Sequence, residues 1–270
     1  MGDGSVPVPE VVHGIDALAS AHGRLFVVVG AFDGLHVGHA YLLRHLKTAA
    51  QERRARTAVI TFDHHPDEIL IGAAPPLLCD PHERLELFAE AGVDVTIVQT
   101  FDDALRMTSY DTFIRRIADR VDLAGFLMTP DAAFGHERMG TPRTVAALGA
   151  ELGYDVMVVP PMDLGGRPVR SGEIRAAIAA GDLGRAAGML GRPYVVRGFV
   201  DQAEAPHVQI RFPMPVALPP PGSYDVLVAP DSNPARARPG VAIIGDSGMV
   251  RMQDGSLVTM ATEVRVTFES

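Results

Sequence analysis

The stretch LFVVVGAFDGLHVGH, residues 25–39, decides how the rest of the chain is read. Leu25–Gly30 is a short apolar run rich in β-branched residues, which predicts a buried strand. From Gly38 to Arg54 the period changes. Leu42, Leu43, Leu46 and Ala50 share one stripe while Arg44, Lys47 and Arg53 lie opposite, which predicts an amphipathic helix. Between strand and helix, Gly30, Gly34 and Gly38 permit a tight turn and the close approach of a phosphate to the backbone. A helix start adds unpaired N–H groups and the positive end of a dipole, a natural anion site. His36 and His39, separated by Val37 and Gly38, can both face that anion. They would supply hydrogen-bond donors where charge builds up in phosphoryl or nucleotidyl transfer. A bare His-x-x-His is more often one core and one surface histidine. The strand before, the helix after and the three glycines favour the functional reading.

The alternation continues outward. Strands are predicted at Thr57–Phe62, Val93–Gln99, Leu123–Met128 and Asp155–Val159, and helices at Pro81–Ala91, Ser109–Arg120 and Thr144–Leu152. Strands alternating with helices at this spacing predict an α/β, Rossmann-like domain with a parallel sheet. Ligands of such sheets bind at the carboxyl ends of the strands, near the topological switch point. After about Leu190 the texture changes to Pro clusters and short alternating runs: HVQIRF, SYDVLVA, GVAIIG, MVRMQ and EVRVTF. These predict a small C-terminal antiparallel β-barrel, with Asp231–Gly240 as an exposed loop. The organisation read from the sequence is an extension at residues 1–24 packing on the first domain, that domain at 25–190, and the barrel at 191–270.

The 270 residues are 47% hydrophobic and 21% charged, ordinary for a folded chain with a sizeable core. A net charge of −9 argues against a general nucleic-acid binder, without excluding a small anion in a local basic pocket. The single cysteine, Cys79, forms neither an internal disulfide nor a cysteine zinc site and is expected to be buried and inert. MGDGSVPVPE lacks the basic and apolar regions of a signal peptide, and no apolar run is long enough to span a bilayer. The expectation is a cytoplasmic protein without membrane contact. No P-loop exists, and Gly30, Gly34 and Gly38 do not fit the dinucleotide fingerprint, which argues against a dehydrogenase.

The segment from Gly30 to His39 closely resembles the HxGH signature of the nucleotidylyltransferase superfamily. Its fuller form, GxFDGxHxGH, resembles the prokaryotic bifunctional FAD synthetases, which combine riboflavin kinase and FMN adenylyltransferase. Further matches follow in order. Thr61 to Pro66 is similar to the family's TFxxHP, with His64 in place of the more usual proline. Arg84 falls in the helix before Gly92-Val93-Asp94. The stretch from Phe101 to Phe113 and Ile114 resembles one ending in EEFI. Gly181, Asp182, Ala186 and Leu190 to Tyr194 match GDxxxAxxLLGRPY. The likeness covers Val11 to Tyr194.

The resemblance implies AMP transfer from ATP to FMN, giving FAD and pyrophosphate, with Mg²⁺ carried mainly on the nucleotide and no metal held by the protein. It implies His36 and His39 as catalytic residues. It implies Gly30, Phe32, Asp33, Gly34, Gly38, Arg170, Ser171 and Arg175 on the nucleotide, and Phe62, His65, Pro66, Asp131 and Phe134 on the flavin. The implied partners are small molecules, with a homo-oligomer left open. The chain also departs from the family. GxDFxFG appears as Thr129 to Gly135, without the first Gly and the first Phe. SSTxIR appears as Arg170 to Arg175, with Arg170 for a serine and Gly172 for the threonine. Arg170 either offers phosphate a charge-assisted contact or points to solvent. The barrel carries neither the PTAN motif nor the glycine-rich loop of the kinase, so riboflavin kinase activity is expected to be absent. Two alternatives stay open: a nucleotidylyltransferase using CTP or another acceptor, and a non-catalytic flavin-nucleotide-binding protein.

Overall fold

The computed structural model describes residues 10–204, 207–245, 250–253 and 263–269. The chain divides into two compact units: the first takes the chain up to Phe32, Gly38–Pro75 and Pro81–Pro168, the second Asp33–Val37, Pro76–Asp80 and Val169 onward.

The first unit is built on a parallel sheet of β1 (Glu10–His13), β2 (Arg24–Val29), β3 (Arg56–Phe62), β4 (Val95–Gln99), β5 (Asp122–Met128) and β6 (Asp155–Val158). The order β1-β4-β3-β2-β5-β6 places β2 and β5 side by side where the chain reverses its direction of travel across the sheet. That is the switch point, where the loops leaving two neighbouring strands part and open a crevice. Strands β3 and β5 are buried along almost their whole length, as expected for strands covered on both faces. The sequence predicts five of these strands. The sixth, β1, is only four residues long, too short for a pattern, and lies within the extension read at residues 1–24; it pairs with β4 from Glu10 opposite Val95.

The crossovers are α1 (Val37–Glu52), α2 (Asp67–Leu70), α3 (Pro81–Glu90), α4 (Asp103–Arg106), α5 (Tyr110–Ala118) and α6 (Pro142–Leu152). Each long helix buries one stripe: Leu43, Leu46, Ala49 and Ala50 in α1, and Phe113, Ile114 and Ile117 in α5. Local chemistry sets their starts. Ser109 caps α5 by accepting from Thr112 N–H, and Thr141 caps α6 ahead of Pro142 in the first turn. A short hairpin of β7 (Asp163–Leu164) and β8 (Arg167–Pro168) closes the unit.

The second unit holds α7 (Ser171–Ala179), α8 (Leu183–Leu190) and a closed antiparallel barrel. Its strands are β9 (Val195–Glu204), β10 (His207–Arg211), β11 (Gly222–Pro230), β12 (Arg238–Ile244), β13 (Val250–Gln253) and β14 (Glu263–Phe268), ordered β10-β13-β12-β11-β14-β9 and sealed by β9 against β10. Alternate residues point inward, as in β14, where Val264, Val266 and Phe268 are buried. The helices feed the same core: Ile174, Ala177 and Ile178 of α7 and Ala186, Met189 and Leu190 of α8 pack with Val196, Val226 and Ile244. The sequence reading missed β9. Arg197 breaks its alternation because it is a buried charge, paired with Asp231 and with Asp80. Asp231, placed by sequence in an exposed loop, is the anchor of that network and also accepts from Arg265 at 2.6 Å; most of the loop beyond it is exposed. Met249, in the predicted MVRMQ run, lies outside the described residues.

Candidate active site

The glycine-punctuated turn leaves β2 in an unusual conformation. Phe32 and Leu35 have φ of 53° and 33°, and Gly34 has 79°. A left-handed non-glycine residue costs about 1–3 kcal/mol and persists only where its surroundings over-determine it. Here they do. The Asp33 carboxylate, 3% exposed, accepts from Leu78 N–H at 2.9 Å and from Arg175 Nη2 at 2.5 Å. Ser171 Oγ donates to the Asp33 carbonyl at 3.0 Å, and Arg175 Nε donates to the Pro76 carbonyl at 2.8 Å. Gly34 N–H donates to the Cys79 sulfur at 3.2 Å, and a Cβ on Gly34 would stand 2.9 Å from that of Leu78. Asp33, Ser171 and Arg175, expected together on sequence grounds, therefore stand together, with Arg175 in an ion pair to Asp33.

His36 is 4% exposed. Burial, reinforced by the nearby Arg192 charge, holds its imidazole down to about 4, so it is neutral near pH 7. A neutral imidazole still donates one N–H. His39 lies in the first turn of α1 with Gly38, and its ring meets that of Phe32 at 5.0 Å between centroids. Phe32 in turn packs edge-on against Phe88 at 5.4 Å.

A cavity of about 650 Å³ opens in the first unit at the switch point. Gly30 and Ala31 after β2 and Ala133–Arg138 after β5 form two of its walls; Phe62, His65 and Pro66 after β3 and Phe101 after β4 form others. The Phe62 and Phe101 rings meet edge to face at 5.2 Å. Arg84, 6% exposed in α3, ties the strand ends together by donating to the carbonyls of Ala31 at 3.1 Å and Phe62 at 2.6 Å. Asp63 braces the same wall by accepting from Phe101 N–H at 3.2 Å. Its burial alone would raise the carboxyl, but hydrogen bonds from the Thr100 side chain, Phe101 and His64 outweigh that and hold it below its ordinary range.

The family model for FAD synthetase matches residues 18–173, more than half the chain and the whole of the turn and cavity just described. The chain belongs to the FAD synthetase family. It is 32% identical to the bifunctional riboflavin kinase/FMN adenylyltransferase of Haemophilus influenzae over 176 residues, covering 64% of this chain and 57% of that protein. It is 30% identical to the protein of the same name from Escherichia coli K12 over 207 residues, covering 76% of this chain and 66% of that protein. The matches thus span 57–66% of these relatives' length. Among solved structures, one titled a macrolide-efflux protein from Streptococcus pneumoniae superposes with a TM-score of 0.80 at 21% identity, covering 96% of this chain and 89% of that one. That likeness is one of fold.

Within the FAD synthetase frame, the expected flavin residues Phe62, His65, Pro66 and Phe134 line one cavity together with Gly30, expected on the nucleotide. Asp131 is not among the lining residues; its carboxylate accepts from Thr129 Oγ1 at 2.8 Å in the turn after β5. Arg170 stands exposed at the N-cap of α7. Sequence reasoning did not place Arg106, Thr108, His136 or Arg138 at the cavity. Arg106 and Thr108 flank the end of a four-residue helix that leaves no periodic signal. Arg138 follows Glu137, and both have left-handed backbones, with φ of 57° and 53°, invisible in the residue types.

Proposed function

We propose that this protein transfers AMP from ATP to FMN, giving FAD and pyrophosphate. The observation that carries the reading is the switch-point cavity lined by Phe62, His65, Pro66 and Phe134 in a chain of this family. In the reaction an FMN phosphate oxygen attacks the α-phosphorus of ATP in line. A new P–O bond forms, the bond to the β-phosphate bridging oxygen breaks, and pyrophosphate leaves with its electron pair. No covalent enzyme intermediate is needed, so catalysis is positioning and charge stabilisation.

In this proposal His36 and His39 donate to the transferring phosphoryl group. Gly30, Phe32, Gly34 and Gly38 let the backbone approach the nucleotide, while Ser171 and Arg175 hold the departing pyrophosphate and Asp33 orients Arg175. Arg170 adds a charge at the start of α7. Phe62, Phe134, His65 and Pro66 receive the flavin, and Asp131 shapes the loop beside them. Among the described residues no three His, Cys, Asp or Glu side chains cluster as a cage for an ion. Mg²⁺ is proposed to arrive on the phosphate oxygens of ATP, where it neutralises charge. Riboflavin kinase activity is proposed to be absent, since the barrel sequence lacks PTAN and the glycine-rich loop. Among the described residues no helix is long and apolar enough to cross a membrane, which suits the proposed cytoplasmic role on small molecules.

The test is a chromatographic assay with Mg²⁺ in which FMN or riboflavin is offered with ATP, CTP or GTP. FAD from FMN and ATP, with no FMN from riboflavin, is the expected result. Product only with another nucleotide, or tight flavin binding without any product, would overturn it.

A further inference from the structure

We propose that Gly191 and Arg192, the two residues that follow α8, clamp His36 in its working position; this rests on the adenylyltransferase reading above. Arg192 Nη1 donates to the Gly34 carbonyl at 3.0 Å and to the Leu35 carbonyl at 3.4 Å. These are the two carbonyls immediately before His36. On its other side Gly191 lies against Val37: with φ of 75° at the end of α8, it has no side chain, and a Cβ there would stand 2.8 Å from Val37 Cγ1. A dipeptide thus grips the tripeptide Leu35–Val37, whose middle residue is His36.

The grip answers a need. Leu35 holds a left-handed backbone with φ of 33°, a state that a β- or γ-branched chain leaves unless its neighbours forbid it. Asp33, two residues earlier, is fixed by Leu78, Ser171 and Arg175, but none of those hydrogen bonds reaches the peptide groups between Gly34 and His36. Arg192 does. A guanidinium presents several N–H donors in a fixed plane and so serves two carbonyls at once, which a lysine ammonium does less rigidly. Its charge also favours the neutral imidazole next to it. Arg192 is a positioning residue: it acts through His36, and its loss should be felt in the chemical step more than in substrate binding.

The experiment compares full-length wild type with Arg192→Met and Arg192→Lys. It measures kcat and KM for FAD formation from FMN and ATP, thermal melting, and amide hydrogen exchange without substrates. Arg192→Met should lower kcat about 10- to 100-fold, the scale of a small misplacement of a catalytic group. KM for FMN should stay within about threefold, because the residues proposed to receive the flavin lie outside the turn that Arg192 braces. Exchange should quicken over Leu35–Gly38 and stay unchanged in β11 and β12, and Arg192→Lys should restore part of kcat. If the methionine variant does not fold, the lysine variant carries the same comparison. A kcat within about twofold of wild type, or exchange that quickens evenly through the barrel, overturns the clamp. If wild type makes no FAD, the adenylyltransferase reading fails, and exchange over Leu35–Gly38 alone decides the clamp.

Discussion

Asp33 and Arg175, 142 residues apart in the chain, meet at 2.5 Å. The carboxylate is 3% exposed while the guanidinium is 19% exposed, so Asp33 without Arg175 is a charge stranded where water scarcely reaches. Removing one member of such a pair costs about 3–5 kcal/mol, whereas removing both can cost much less. Arg175→Met should therefore lower the unfolding free energy by about 3 kcal/mol, and adding Asp33→Asn should recover part of it. Denaturant titrations of the two single variants and the double variant measure this coupling. Strict additivity would show that the pair does not act as a unit.

His36 carries the proposed chemistry most directly. His36→Ala should lower kcat by at least ~100-fold, the usual loss when one transition-state donor is removed, while flavin affinity in the cavity stays near wild type. Rapid-quench turnover alongside flavin fluorescence titration separates the two. Near wild-type turnover would sink the assignment.

The same imidazole sets a pH signature. It titrates near 6.5 in the unfolded chain and is held down to about 4 in the folded one, so between those values the unfolded state binds more protons. Stability is fully present above about 6.5 and declines as pH falls through that window, by on the order of 3 kcal/mol in all. Melting curves from pH 7.5 to 4 should show a steeper acid loss for wild type than for His36→Gln. Parallel curves would contradict it.

Arg84 holds two strand ends that the cavity needs. Arg84→Met removes both carbonyl contacts, each worth about 1.5–3 kcal/mol when a charged donor is involved. It should weaken FMN binding about tenfold as the Phe62 wall loosens, and lower the melting temperature as well. Phe62→Ala should weaken binding to a similar extent with a smaller loss of kcat. Isothermal titration with FMN, which needs no turnover, tests both.

The sheet was legible because its central strands are buried on both faces, and an apolar run such as Leu25–Val29 then has only one reading. The turn after β2 was legible because glycines and histidines at fixed spacing have few other uses. What stayed hidden depended on distance in the chain or on short elements. β1 is too brief to carry a period. β9 buries Arg197, and its partners Asp231, 34 residues on, and Asp80, far back in the chain, explain why. Helices α7 and α8 were not read as helices from the sequence, and they pack into the barrel's core. Arg106 and Arg138 reach the cavity from a single helical turn and a left-handed loop, neither of which residue type announces.

The hydrogen bond from Arg192 to Gly34 spans 158 residues. A ribosome makes the signature turn early and its fastener late, so for most of synthesis the strand and helix on either side of His36 are joined by an unfastened bend. All six strands of the parallel sheet lie before that fastener in the chain. On the clamp proposed above, full competence would come only once the segment after α8 has been made. A chain cut short before residue 192 is expected to keep the strands of its sheet and to lose the clamp on His36.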